Sequence, residues 1–186
     1  MDVVLVQPEI PHNSGCAGRL TAALGVRLHL VEPLGFSLDD RYMKRAGLDY
    51  WPMVDLHLHP DLASALSHLQ GGSERPLAER LKWFSARGGK SLFQTEFAAD
   101  DILLFGSESK GLPMEAVDAA GGQRVYLPIA KGVRSLNLAN TVAVGLYTAM
   151  DRAGMNMPNN DGEYVADVRA GEGLTPGQIV QKPGQS

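Results

Sequence analysis

Three short polar stretches carry the residue types best suited to chemistry. Asn13, Gly15 and Arg19 follow an apolar run at residues 3–6. Gly106, Glu108 and Gly111 follow a second run at residues 102–105, and Ser135, Asn137 and Asn140 follow a third that begins near Arg124. Each stretch joins an amide or carboxylate, able to hold a neighbouring loop, to small residues, and the first adds a guanidinium. Ser135-Leu136-Asn137-Leu138-Ala139-Asn140 sits at the mouth of an apolar element. Polar groups placed there must find partners or cost free energy, so they point to a binding site. Taken singly, each stretch has a plain structural explanation: glycines serving turns, Ser135 capping a helix, Arg19 pairing with a surface carboxylate. Their joint occurrence favours a site.

Other arrangements carry less. Gly106-Ser107-Glu108-Ser109-Lys110-Gly111 is followed by Leu112-Pro113, so it lacks the lysine of a phosphate-gripping loop. Asn13-Ser14-Gly15-Cys16-Ala17-Gly18 lacks the first glycine of a dinucleotide fingerprint. His57 and His59 would share one face of a strand and could hold a metal. No third ligand has a recognisable spacing, so they read as solvent-facing and no metal is expected. Cys16 has no paired base and reads as a small packing residue.

The elements that must position these residues follow from apolar patterning. Residues 3–6, 26–31, 55–59, 81–85 and 102–105, and the run after Arg124, read as strands. Helices are expected over residues 17–24, with Gly25 as C-cap, and over 39–46, 62–69 and 113–120, with Pro113 in the first turn of the last. A further helix follows Ser135, with Leu138, Val142, Val144, Leu146 and Ala149 spread around it; a helix apolar on all faces is buried in a core or in a subunit interface. Strands alternating with helices predict an α/β fold with a mostly parallel sheet. Ligands of such sheets bind beyond the carboxyl ends of the strands, where all three polar stretches fall.

The chain of 186 residues fits one domain, with 44% hydrophobic and 20% charged residues. From Met155 onward Asn, Gly, Pro and acidic residues dominate, so residues 153–186 read as a flexible tail or surface arm beyond a domain at 1–152. The net charge of −4 and pI near 5.7 argue against a dedicated nucleic-acid coat but leave room for a local basic patch. A single cysteine, no signal-like N-terminus and no long apolar run make a cytoplasmic protein the expectation.

In order and spacing, Pro11-x-Asn13-x-Gly15-x-x-x-Arg19, Phe105-Gly106-x-Glu108-x-x-Gly111 and Leu127-Pro128…Ser135-Leu136-Asn137-x-x-Asn140 resemble the three motifs of the SPOUT superfamily of knotted RNA methyltransferases. The resemblance runs over residues 3–152. The start, VQPEIPHNSGCAGRL, and the insert FSLDDRYMKRAGLDYW look most like TrmL-type tRNA 2′-O-methyltransferases, which act on a wobble cytidine or uridine in the anticodon loop. The resemblance implies a deep trefoil knot in the C-terminal half, a homodimer, and S-adenosylmethionine bound in the knot near Phe84, Gly106, Leu127, Ile129 and Ser135. It assigns activation of the ribose hydroxyl to Arg19, with Asn13, Glu108, Ser135, Asn137 and Asn140 completing the catalytic set. It gives RNA contact to Arg41, Lys44, Arg45, Arg134 and Tyr147, with Lys110 and Lys131 adding to a local basic set. Two alternatives stay open: 2′-O-methylation at another tRNA or ribosomal RNA position, and a non-catalytic RNA-binding module of the same fold.

Overall fold

The computed structural model describes residues 1–38, 51–86 and 88–159. Seven strands form one sheet: β1 Asp2–Val6, β2 Arg27–Val31, β3 Leu56–His59, β4 Leu81–Phe84, β5 Lys90–Ser91, β6 Ile102–Phe105 and β7 Gln123–Tyr126. Their spatial order is β3-β2-β1-β6-β4-β7-β5, and every pairing is parallel. The central strands are buried on both faces, which is why they read as unbroken apolar runs. Val3, Leu5, Leu28, Leu30, Phe84, Leu103 and Phe105 fill one layer, beneath helices α1 (Pro11–Leu24) and α5 (Leu138–Arg152). Val4, Val6, Val31, Leu81, Trp83 and Leu104 fill the other, with α2 (Leu62–Gln70), α3 (Leu77–Arg80) and α4 (Met114–Ala120) on that side. No helix among the described residues is long and apolar enough to cross a membrane.

Helix α1 begins at Pro11, six residues before the expected start, so Asn13 and Gly15 are helical rather than in a loop. Proline at the first helical position starts the turn without losing a needed N–H. Gly25 ends the helix in the left-handed conformation at φ 64°, as expected. Pro113 lies at the N-cap of α4, just before its first turn. The α5 cap is the Asn137 side chain, not Ser135: its oxygen accepts the Asn140 N–H at 3.2 Å. Helix α5 is also not buried all round; Leu138, Val142, Leu146, Ala149 and Met150 face the core, whereas Val144 and Tyr147 are exposed. Cys16 is exposed on α1 with its Sγ 3.6 Å from His12 Nε2, so it is no packing residue. The expected helix at 39–46 and residues 39–50 of the insert lie outside the described residues, as do 160–186 of the tail.

The amino ends of the strands are fastened by ions. Buried Arg80 donates to the carbonyls of Leu69 and Asp100 at 2.9 and 3.0 Å, and Lys82 lies 3.4 Å from Asp101. This leaves the opposite, carboxyl edge free for a site.

The histidines depart furthest from expectation. His59 is buried and His57 largely so, because both face α2 rather than solvent. They stand with His29 of β2, which is fully buried, and His68 of α2, in a cluster of stacked and tilted rings. Burial, reinforced by the neighbouring rings, pushes His59 down to about 4. Strand spacing alone could not disclose His29 and His68, which arrive from other elements.

Candidate active site

A cavity of about 790 Å³ opens at the carboxyl ends of β1, β4, β6 and β7, within the roughly 300–1,000 Å³ typical of small-molecule sites. Phe84, Phe105, Leu127, Ile129 and Leu138 give it an apolar wall, while Asn13, Glu108, Arg134, Ser135 and Asn137 supply polar groups. Phe84 and Phe105 stack at 4.5 Å, so the wall is continuous with the core.

One hydrogen-bonded chain unites the three polar stretches. Glu108 accepts from the backbone N–H groups of Glu9 (2.8 Å) and Ile10 (3.2 Å) and from Asn13 Nδ2 (2.8 Å). Asn13 Oδ1 then accepts from Asn137 Nδ2 at 3.0 Å. An ionised carboxylate only accepts, so Glu108 fixes which way the Asn13 amide faces, Asn13 fixes Asn137, and the remaining Asn137 oxygen caps α5. The link is reciprocal: the Glu9 carboxylate accepts from Ser109 Oγ (2.5 Å) and Ser109 N–H (3.2 Å). The loops after β1, β6 and β7 thus hold one another.

The β6 loop is folded tightly. Ser107 and Gly111 exchange both backbone hydrogen bonds, at 3.2 and 2.9 Å. A Cβ on Gly106 would lie only 2.0 Å from the Gly111 carbonyl carbon and 2.2 Å from the Leu112 nitrogen. Glycine is required there because backbone, not a movable side chain, occupies the space.

The structure therefore brings Asn13, Phe84, Gly106, Glu108, Leu127, Ile129, Arg134, Ser135 and Asn137 to one cavity. It does not bring all the expected residues there. Arg19 is exposed on α1 and is not among the described residues lining the cavity. Asn140 enters the chain of bonds through its backbone N–H, and Tyr147 is exposed on α5 outside the lining. Arg41, Lys44 and Arg45 lie outside the described residues. Sequence reading missed the Glu9–Ser109 pair, whose partners are 100 residues apart. Position beyond a strand end was the only signal for Glu9.

A family model described as SpoU rRNA Methylase matches residues 1–147. The chain belongs to the SpoU rRNA methylase family. Within it, a Burkholderia ambifaria protein named tRNA (cytidine(34)-2′-O)-methyltransferase is 44% identical over 154 residues, covering 82% of this chain and 96% of the relative. A solved structure described as "Structural insights into the 2-OH methylation of C/U34 on tRNA" is 48% identical, with a TM-score of 0.72 over 82% of this chain and 95% of that one. A SpoU methyltransferase from Streptomyces viridochromogenes, solved in complex with the cofactor AdoMet, shares the fold at 23% identity, with a TM-score of 0.69 over 81% of this chain and 59% of its own. The SPOUT resemblance read from three motifs is thus borne out over residues 1–147.

Proposed function

We propose that this protein is an S-adenosylmethionine-dependent methyltransferase that modifies the ribose 2′-hydroxyl of a wobble cytidine or uridine in tRNA. The observation that carries the reading is the chain from Glu108 through Asn13 to Asn137. It ties the three family motifs around one cavity, a degree of organisation that RNA binding alone does not require. The names of the relatives at 42–46% identity support the substrate. A tRNA substrate is consistent with activity in the cytoplasm, and on this reading residues 1–152 are the catalytic domain and 153–186 a tail or arm.

The cavity suits such a cofactor. Its apolar wall fits an adenine ring, its polar rim fits the ribose and amino-acid ends, and the β6 loop without a Cβ at Gly106 presents bare backbone. Phe84, Gly106, Leu127, Ile129 and Ser135 would hold it. The bound sulfonium supplies an electrophilic methyl group, so the protein has mainly to align the acceptor oxygen and dispose of one proton. Arg134, at the cavity rim, would place an RNA phosphate, helped by Arg41, Lys44 and Arg45. Arg19 would act on the 2′-hydroxyl. A guanidinium gives up its proton only with difficulty, so Arg19 would orient the hydroxyl and stabilise the developing alkoxide while an RNA phosphate oxygen or solvent takes the proton. Its position outside the cavity supports delivery from a second copy of the chain. The exposed Val144 and Tyr147 on α5 give such a homodimer an apolar patch. Return of the chain from β7 to α5, beneath β6 and against α1, suits the trefoil knot that the family resemblance implies.

Labelled S-adenosylmethionine and total tRNA provide the test. Label at the anticodon wobble ribose is expected; label at another tRNA position, or on ribosomal RNA supplied in a parallel reaction, would replace the substrate assignment, and no label on either would favour the binding module. Arg19→Ala should abolish transfer while calorimetry shows cofactor affinity within about twofold of the parent, since only groups acting on the substrate are lost. Equal loss of both would remove Arg19 from the substrate side.

A further inference from the structure

Four of the five histidines gather on the sheet face opposite α1 and α5, and the methyl-transfer reading gives them no task. His29 and His57 are register partners on the parallel strands β2 and β3, so their side chains emerge side by side, with ring centroids 4.7 Å apart. His59 emerges on the same face two residues later. His68, in the last turn of α2, leans over all three, with centroids 5.3–5.8 Å away. One nitrogen from each of His29, His57 and His68 lies within 4.8 Å of the others.

The carboxylates beside two of the rings supply a second, independent observation. His29 Nε2 lies 3.3 Å from Asp2 Oδ1, and His57 Nε2 lies 3.1 Å from Asp55 Oδ1. Carboxylates only accept, so in the neutral ring an Nε2–H faces each carboxylate and the lone pair falls on Nδ1. Asp2 is itself fixed, since Arg27 donates to both of its oxygens at 2.6 and 3.1 Å. The His57 Nδ1 is buried and makes no hydrogen bond among the described residues. Among the described residues, the His29 Nδ1 meets His59 Nε2, at 2.9 Å. Two imidazoles are therefore oriented by carboxylates behind them with their lone pairs forward, the outer arrangement of a histidine metal site.

From these positions we propose that His29, His57 and His68 bind one divalent cation of the zinc type, with His59 or water completing the coordination. Imidazole nitrogens select zinc and its later transition-metal neighbours over magnesium or calcium. Bonds of about 2.0–2.1 Å place tetrahedral ligands about 3.4 Å apart. The His29 and His57 rings are nearly parallel, at 19°, so one of them must turn toward the ion, and His68, exposed at a helix end, closes the rest of the gap by rotation. The ion displaces the His59 hydrogen bond from His29 Nδ1. It cross-links β2, the edge strand β3 and α2, well away from the cavity at β1, β4, β6 and β7. Its role is to fasten the sheet edge rather than to take part in transfer.

The test uses the untagged full chain, stripped with a chelator and titrated with zinc against a chromophoric competitor, and with cobalt followed by its visible absorption. One ion per chain is expected, with tetrahedral cobalt bands and a rise in Tm on zinc addition. His68→Ala should abolish the cobalt bands and the Tm rise while leaving the metal-free circular dichroism spectrum and methyl transfer unchanged. Asp55→Ala, which removes only a carboxylate behind a ligand, should weaken zinc about 10–100-fold. Absence of stoichiometric uptake by the parent, or uptake retained in the His57→Ala/His68→Ala double variant, would show a purely hydrogen-bonded histidine stack and overturn the proposal.

Discussion

Asn137 has two separable tasks, and its substitution can distinguish them. Its Oδ1 caps α5 through the Asn140 N–H, and its Nδ2 donates to the buried Asn13 Oδ1. Losing a cap costs about 1 kcal/mol, and leaving a buried acceptor without a donor costs a further ~1–3 kcal/mol. Asn137→Ala should therefore lower unfolding free energy in urea by about 2–4 kcal/mol and weaken cofactor binding, because the loop after β7 loses its tie to α1. Asn137→Asp keeps the cap but sets a carboxylate against an amide oxygen. It should retain helix stability yet weaken the cofactor as much as the alanine variant. Full affinity in Asn137→Asp would show that the cap alone matters. Nothing local in the sequence signals the Asn13 bond, since its partners are 124 residues apart. What the sequence does disclose is that both residues are small amides placed just beyond strand ends.

At the scale of elements, close packing decides which glycines tolerate a methyl group. A Cβ at Gly106 strikes the backbone of residues 111 and 112, whereas one at Gly145 of α5 strikes the Phe84 ring edge at 2.8 Å. Gly145→Ala should cost about 1–3 kcal/mol and weaken cofactor binding modestly as the ring yields toward the cavity. Gly106→Ala should reduce binding far more, because the loop itself must reopen; calorimetry on both variants gives the order. Helix α2 offers a pH test. The Asp61 side chain accepts the Ser64 N–H at 2.7 Å, and this bond holds its carboxyl below the usual range. A depressed folded-state pKa gives stability that is complete above the unfolded pKa of about 4 and is lost as pH falls through the folded value. Parent and Asp61→Ala melting temperatures should differ at pH 7 and converge below pH 4. The elements themselves were largely legible, because strands buried on both faces carry their own apolar signature. The start of α1 was not: Asn13 in its first turn is buried against Glu108 and Asn137, partners supplied only by the folded chain. The histidine cluster stayed hidden for the same reason, since the His57–His59 spacing is visible but His29 and His68 come from β2 and α2.

On the scale of the whole molecule, the exposed face of α5 and the place of exposed Arg19 outside the cavity lining have one common explanation. If a second copy docks on Val144 and Tyr147, the Arg19 of each chain can serve the cavity of the other. This division of labour makes a sharper prediction than loss of function in single variants. Arg19→Ala chains keep an intact cavity but lack the guanidinium; Gly106→Ala chains keep the guanidinium but lose the cavity. Each should be inactive alone. Unfolded together and refolded at equal concentration, half of the dimers would be mixed, and each mixed dimer would contain one complete site out of two. Methyl transfer should then return to about a quarter of the parent rate, given the symmetric exchange of like subunits. If Arg19 served its own cavity, every mixed dimer would hold one site without the guanidinium and one without the cavity, and the mixture would stay inactive. Adding Tyr147→Asp to both chains provides the control. A buried charge in the patch should give monomers by light scattering and abolish the restored activity, while cofactor binding to the Arg19→Ala chain persists. Restored activity in a monomeric mixture would refute the shared site.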